Sequence, residues 1–361
     1  MNAGSDEVPK TKVLFILPGM SAGGAERVML NLLTNLPRKQ FDLSLVLMKD
    51  GGEFLAKVPG DVKIFILKTK RLRYVIPKLI NLIWRQKIDV VFPTLGGLNR
   101  PIMMLKWLFP PQTRVVIRET IAMSGLMKYN VRKQSTITLI KWLYPKADSI
   151  ISLCKYMVAD LEELTGISFK NQQVIYNPVD IIGIKINAAC ANPFSGKGLN
   201  IVAAGRLDRQ KGYERLIKAF PALLEKKPEA HLWILGEGQL RGSLENLIEE
   251  MGLWDRIHLP GYQDNPYKWI RNADLFVLSS LYEGLPNILL EAIACSCPVV
   301  SLENPGGALE ILEMTGQPER YVKELTWDDW WFECPGPEII TKLEEHFGME
   351  KIVAQYSEVL K

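Results

Sequence analysis

Leu199-Asn200-Ile201-Val202-Ala203-Ala204-Gly205-Arg206-Leu207-Asp208-Arg209-Gln210-Lys211-Gly212-Tyr213 decides how the chain folds. An apolar run of strand length ends at a glycine, a polar turn closes on a second glycine, and helical spacing resumes from residue 213. A strand without polar alternation is buried on both faces, and one that hands over to a helix belongs to a parallel sheet. The pattern recurs. Candidate strands stand at 12–17, 43–48, 62–67, 88–92, 114–118 and 149–153, then at 199–204, 231–235, 256–259, 274–279 and 298–301, alternating with helix-length amphipathic segments. Two such series in tandem predict an α/β chain of two doubly wound, Rossmann-like domains.

The expected boundaries follow from the turn residues. Residues 1–11 read as a disordered lead-in and 12–180 as the first domain. Tyr176-Asn177-Pro178-Val179-Asp180 leads into a linker over 181–198, and the second domain spans 199–336. Residues 337–361 read as two helices broken at Gly348. Ile352, Tyr356 and Val359 make an apolar stripe that must pack on a neighbour.

Composition narrows the classes. With 361 residues, 47% hydrophobic and 23% charged, the chain can build two cores and does not resemble a disordered polymer. Its longest apolar stretch, around 288–302, is interrupted by Glu291 and falls short of the ~20 residues of a membrane span. The polar opening with Asp6 and Glu7 is unlike a secretory signal. Five cysteines are an odd number, and Cys295 and Cys297 lie in an apolar run as small core residues, so a reducing cytoplasm is expected. Residues 1–180 hold 26 Lys plus Arg against 14 Asp plus Glu, a net of +12, while the remainder holds 18 against 26, a net of −8. The front half therefore faces something anionic: a membrane surface, a phosphate-bearing acceptor or a nucleic acid. Nucleic acid fits least, because the basic residues surround apolar helices and no recognition module is present.

Four stretches carry chemistry. Gly19-Met20-Ser21-Ala22-Gly23-Gly24-Ala25-Glu26-Arg27 joins the first strand to a helix whose free N–H groups suit an anion. It is neither a Walker A loop nor a GxGxxG fingerprint, and a bare glycine turn is the competing explanation. Arg206 and Lys211 bracket the turn quoted above and can clamp a diphosphate, one as a planar fork and the other as a point charge. Gly236 and Gly238 end another strand and let backbone approach a ribose or base. In Ser280-Leu281-Tyr282-Glu283-Gly284-Leu285-Pro286-Asn287-Ile288-Leu289-Leu290-Glu291, Pro286 suits the first turn of a helix. Glu283 precedes that helix and Glu291 lies within it, so both carboxylates can accept from the hydroxyls of a polyhydroxylated ligand. An ordinary solvated glutamate is the alternative for Glu291, although its apolar neighbours argue for a partner.

Together these motifs, in order, resemble glycosyltransferase family 4: Gly23-Gly24-Ala25-Glu26-Arg27, Gly205-Arg206 with Lys211-Gly212, Gly236-Glu237-Gly238, Glu283 and Glu291 with seven residues between, and Pro305-Gly306-Gly307. The resemblance runs from about residue 12 to residue 313. It implies a GT-B fold, with the two domains facing a central cleft and a C-terminal helix crossing back to the first, and retaining transfer from a nucleotide-diphosphate sugar without a metal ion. By the same resemblance, Gly24 lends its backbone N–H to the donor phosphate, with Gly23 beside it. Arg206 and Lys211 hold the diphosphate and offset charge on the leaving nucleotide. Glu283 accepts from the donor sugar and Glu291 from the ribose. Leu285 and Asn287 face the phosphates, and backbone near Tyr262 meets the base.

The chain departs from the family in three places. Its three histidines all lie in the second half, and Arg118-Glu119 occupies the region of a first-domain histidine, which makes Glu119 an acceptor-side or sugar-side candidate. Ser296 stands where glycine is usual. Residues 317–334, with Thr326-Trp327-Asp328-Asp329-Trp330-Trp331, replace the expected strand and turn. The expected donor is a UDP- or GDP-sugar, with UDP-sugar favoured, and the expected acceptor a saccharide or polyprenyl-linked saccharide. A non-hydrolysing nucleotide-sugar epimerase and a catalytically degenerate binding homologue are the alternatives. The stripe Ile76, Leu79, Ile80, Ile83 and Trp84 reads as a crossover helix buried on the sheet. The run 103–109, extended by Leu126-Met127-Lys128-Tyr129 with Arg132 and Lys133, reads instead as an exposed apolar patch among basic residues such as those of 68–74, which suggests that the first domain touches the inner membrane face.

Overall fold

A computed structural model describes residues 9–21, 23–67, 72–128, 133–194 and 198–361. Most of the lead-in, Ala22, the basic stretch 68–71 and residues 129–132, among them Tyr129 and Arg132, lie outside the described residues. The chain divides into two compact units, 1–178 with 350–361, and 179–349.

The first unit holds β1 (Thr11–Leu17), α1 (Gly24–Asn35), β2 (Phe41–Leu47), β3 (Lys63–Ile66), α2 (Leu72–Gln86), β4 (Val90–Pro93), α3 (Gly96–Leu105), β5 (Arg114–Arg118), α4 (Met123–Lys128), α5 (Lys133–Leu143), β6 (Ser149–Ser152), α6 (Lys155–Thr165) and β7 (Gln172–Val174). Its strands are parallel in the order β3-β2-β1-β4-β5-β6-β7. Phe15 on β1 pairs with Leu45 on one side and Phe92 on the other, and residues 13–17 are wholly buried. This is why the first strand is apolar throughout: helices cover both faces.

The second unit begins with α7 (Ile181–Ala188), so the stretch expected as linker contains a helix. It continues with β8 (Asn200–Ala204), α8 (Tyr213–Lys226), β9 (His231–Leu235), α9 (Arg241–Glu250), β10 (Ile257–Gly261), α10 (Tyr267–Arg271), β11 (Leu275–Leu278), α11 (Asn287–Ala294), β12 (Val299–Leu302), α12 (Ala308–Thr315), β13 (Tyr321–Val322) and α13 (Pro337–Phe347). Its parallel order is β10-β9-β8-β11-β12-β13. Cys295 and Cys297 are buried, and burial pushes the Cys295 thiol up to about 12 and Cys297 well up as well.

The tryptophan-rich departure closes this sheet. Trp327 and Trp331 are buried against α8, where the Trp327 Nε1–H donates to the Ala219 carbonyl at 2.9 Å and its ring meets Phe220 edge-on at 6.4 Å. Arg320 is buried beside them. Its guanidinium donates to the carbonyls of Val299, Trp331 and Glu333 at 3.0–3.1 Å. The two-residue edge strand pairs with Ser301 and Leu302 alone, and Arg320 takes the carbonyl of Val299 earlier on β12.

The last helix, α14 (Met349–Leu360), falls almost wholly in the first unit. Ile352, Tyr356 and Leu360 are its buried stripe. Arg118, wholly buried at the end of β5, is the anchor. It donates to Tyr356 Oη (2.9 Å), Thr94 Oγ1 (2.9 Å) and Asn177 Oδ1 (2.6 Å). A guanidinium can be buried here because three oxygens take its donors.

Candidate active site

In an open parallel sheet, ligands bind beyond the strand ends where the strand order reverses. In the second unit that point lies between β8 and β11. The turn after β8 carries Arg206 and Lys211, and the loop after β11 carries Glu283. They meet: Lys211 Nζ lies 2.6 Å from Glu283 Oε1, with the two side chains 17% and 8% exposed.

Several bonds hold this contact in place. The Ser280 hydroxyl donates to Glu283 Oε1 at 2.6 Å, and Gln210 Nε2 donates to Glu283 Oε2 at 3.3 Å and to the Tyr282 carbonyl at 3.1 Å. The Leu281 N–H donates to the Gln210 carbonyl at 2.7 Å, and the Ser279 hydroxyl to the Lys211 carbonyl at 2.9 Å. Arg215 reaches from α8 to the carbonyls of Ser279 and Ser280. From the loop after β12, the Pro305 carbonyl accepts from the Glu283 N–H at 2.8 Å, and the Gly307 N–H donates to the Gly284 carbonyl at 2.6 Å. Loops after β8 and β11 thus meet at the Glu283 carboxylate, and the loop after β12 holds the backbone of Glu283 and Gly284.

Glycine is required where these loops touch. Gly205 has φ +150, and a Cβ there would lie 2.9 Å from Lys211 Cε and 3.0 Å from the Tyr213 hydroxyl. Gly236, at φ +141, packs directly on the Gly205 carbonyl, and Gly238 on that of Leu207. Both conformation and space demand the residue.

The remaining candidates are distributed as follows. Arg206 is 76% exposed, with Nε 3.6 Å from Asp208 Oδ2. Leu285 is buried, Asn287 begins α11, and Glu291 lies one helical turn further on, 8% exposed. Tyr262 follows β10 and is exposed. Gly23 and Gly24 belong to the first unit, at the N-terminus of α1, where the Glu26 carboxylate folds back onto Gly23. Glu119 is also in the first unit. It is 4% exposed, and its Oε1 accepts from Asn99 Nδ2 at 2.9 Å and from the Tyr144 hydroxyl. Burial, with the Glu119 charge beside it, holds the Tyr144 phenol well above its usual range.

Sequence patterns did not single out Ser280, Gln210 or Tyr213. The Tyr213 hydroxyl is buried with no hydrogen-bond partner among the described residues, and burial, with the charges of Asp208 and Glu283, raises its pKa well above the usual phenol value. Its position directly after Lys211-Gly212, at the head of a helix, is the only clue the sequence offers.

Two family models match the chain: "Glycosyltransferase Family 4" over residues 22–181 and "Glycosyl transferases group 1" over residues 190–327. A relative from Campylobacter jejuni, N-acetylgalactosamine-N,N'-diacetylbacillosaminyl-diphospho-undecaprenol 4-alpha-N-acetylgalactosaminyltransferase, is 34% identical over 313 residues, 83% of each chain. An amylovoran biosynthesis glycosyltransferase of Erwinia amylovora is 25% identical over 84% of each chain. The solved structure of Anabaena HepE in complex with UDP-glucose superposes with a TM-score of 0.75 at 17% identity, covering 97% of this chain and 99% of that one. The two parallel sheets are of the GT-B type. The chain belongs to glycosyltransferase family 4 and is a glycosyltransferase.

Proposed function

We propose that the enzyme transfers a hexose or N-acetylhexosamine from a UDP-sugar to a saccharide, free or carried on a polyprenyl lipid, in the assembly of a cell-surface polysaccharide or glycan, with retention at the sugar carbon. The observation that carries this reading is the contact between Lys211 and Glu283. A cation suited to a diphosphate and a carboxylate suited to sugar hydroxyls are held together at the switch point of the second sheet. The scissile bond of a nucleotide sugar joins those two chemical groups.

In the proposed reaction Lys211 and Arg206 take the charge that grows on the departing nucleotide, so the step needs no metal ion. Glu283 accepts from the donor sugar and Glu291 from the ribose. The backbone of Leu285 and the side chain of Asn287 face the phosphates at the head of α11, backbone near Tyr262 meets the base, and Gly236 and Gly238 let the ligand approach. Gly23 and Gly24 meet the donor phosphate from the first unit, and Glu119 serves the acceptor or sugar side. The Campylobacter relative's name specifies a diphospho-undecaprenol-linked acceptor, which supports a lipid-linked saccharide for this chain as well. The odd number of cysteines, with Cys154, Cys295 and Cys297 buried as small core residues, supports a reducing cytoplasm in this reading.

The test is a panel of UDP- and GDP-sugars screened for thermal stabilisation, followed by product analysis with and without a saccharide acceptor. Stabilisation by a UDP-sugar and acceptor-dependent transfer are expected. Product formed from a UDP-sugar with no acceptor would indicate an epimerase, and absence of any nucleotide affinity would indicate a binding homologue. Either result sinks the proposal.

A further inference from the structure

Three tryptophans lie open on the first unit: Trp84 (53% exposed), Trp107 (79%) and Trp142 (59%). They form one neighbourhood. Trp84 Nε1 donates to the Leu108 carbonyl at 2.9 Å, beside Trp107. Lys106 Nζ reaches the Lys146 carbonyl at 2.7 Å and Asp148 Oδ2 at 2.6 Å, and the Lys146 ammonium stands 3.6 Å over the Trp142 ring. All of these residues precede the starts of β4, β5 and β6, so the patch occupies the strand-start end of the sheet, away from the glycine turn that follows β1.

The surrounding charge is one-sided. Arg85 and Lys87 follow Trp84, Lys106 precedes Trp107, and Lys141 and Lys146 lie either side of Trp142, all exposed except the half-buried Lys106. The acids of residues 75–147 are Asp89 and Glu119. Asp89 is half-buried and accepts the Lys12 N–H at 2.8 Å, and Glu119 is buried. Asp148, just beyond, is neutralised by Lys106. Exposed indole rings set among basic side chains match the headgroup zone of an anionic bilayer, where tryptophan sits at the boundary between acyl chains and water. Of the neighbouring apolar side chains Met104, 49% exposed, extends the patch, whereas Met103, Phe109 and Met127 are core residues.

We propose that this Trp84–Trp107–Trp142 rim docks the enzyme on an anionic phospholipid surface. The inference does not depend on which sugar is transferred. It is tested by co-sedimentation of the full chain with neutral phosphatidylcholine vesicles and with vesicles about a third phosphatidylglycerol. Binding to the anionic vesicles alone is expected at low salt, with loss at high salt. Lys141→Gln and Lys146→Gln should each weaken it about fivefold, the effect of removing one interfacial charge. Trp107→Ser and Trp142→Ser should each lower it by a similar factor without changing the thermal midpoint, and brominated lipids should quench the wild-type tryptophan fluorescence. Failure to bind anionic vesicles, or absence of quenching, overturns the proposal. So does binding indifferent to both tryptophan changes, which would report charge alone. Retention on heparin without vesicle binding would reveal a polyanionic polymer as the partner and equally overturns it.

Discussion

Lys211 and Glu283 are 72 positions apart and leave different strands, yet their charged atoms lie 2.6 Å from each other. The pair does two jobs in the free enzyme: it neutralises a carboxylate that is almost fully covered, and it holds an ammonium at the point where strand order reverses. Removing the lysine leaves Glu283, among the described residues, with Ser280 and Gln210 as side-chain donors. Lys211→Ala should therefore lower unfolding stability by ~2–3 kcal/mol, less than for a fully buried pair, and turnover by ~100-fold or more. In Lys211→Ala/Glu283→Gln the stability loss should largely disappear while turnover stays low. Urea titration and initial rates measure the two effects, and wild-type turnover in Lys211→Ala would contradict the assigned role.

Arg206 supplies the contrasting case. It is 76% exposed and its nearest carboxylate is 3.6 Å away, so Arg206→Ala should change stability by less than ~0.5 kcal/mol. Turnover should still fall by ~100-fold, because its charge is used as the leaving group departs. A melting curve and a rate measured on the same sample separate the effects.

At Gly236 a side chain would meet the Gly205 carbonyl in a backbone conformation that suits only glycine. Gly236→Ala should destabilise the second unit by ~2 kcal/mol or more and abolish the thermal shift produced by UDP-sugar. Gly242, within α9 and with open space around its Cα, is the control. Gly242→Ala should stabilise by up to ~1 kcal/mol. Equal effects from the two changes would refute the steric account.

Trp331 and Trp327 fill the end of the second core beside α8, so Trp331→Ala should cost ~3–5 kcal/mol in urea unfolding. Arg320→Met should also destabilise, since it leaves the carbonyls of Val299, Trp331 and Glu333 without their donors. If the segment were peripheral, both variants would unfold like the wild type.

His231 Nδ1 and His258 Nε2 are 3.0 Å apart, and burial lowers both pKa values, the neighbouring Arg256 adding to the shift at His231 and His231 to that at His258. A lowered histidine pKa means that the folded state binds fewer protons than the unfolded chain once pH falls below about 6.5. Stability should be full above that value and decline as the solution is acidified through it. His258→Gln should flatten the profile, measured by urea midpoints at several pH values. A wild-type midpoint constant on acidification would contradict the assignment.

Much of this was legible from local pattern. The apolar runs that became β1, β8 and β9 have no polar alternation, and each stops at a turn, so period and punctuation agreed. β7 escaped because Gln172-Gln173-Val174 is short and polar, and β13 because two residues carry no period. The helix α7 escaped for another reason. Ile181-Ile182-Gly183-Ile184 is poor helix-forming sequence, and only tertiary packing on α10 and α11, with Asp180 capping the Gly183 N–H at 2.9 Å, makes it helical. Within the site, spacing exposed the charged residues because their chemistry is unusual at strand ends. Ser280, Gln210 and Tyr213 acquire meaning only when loops from distant strands converge. The buried tryptophans of 326–334 were equally opaque, since nothing local says which face of a sheet a tryptophan will cover.

The rim of indoles lies where the strands of the first sheet begin, and the glycine turn beginning at Gly19 lies where β1 ends. β1 has seven residues, so the two places are separated by ~23 Å of rigid strand. A bilayer at one end and a saccharide received at the other would make the sheet a spacer. Only glycans carried on a stalk of comparable length would then reach that turn, and a single sugar seated directly on a lipid headgroup would be left short of it.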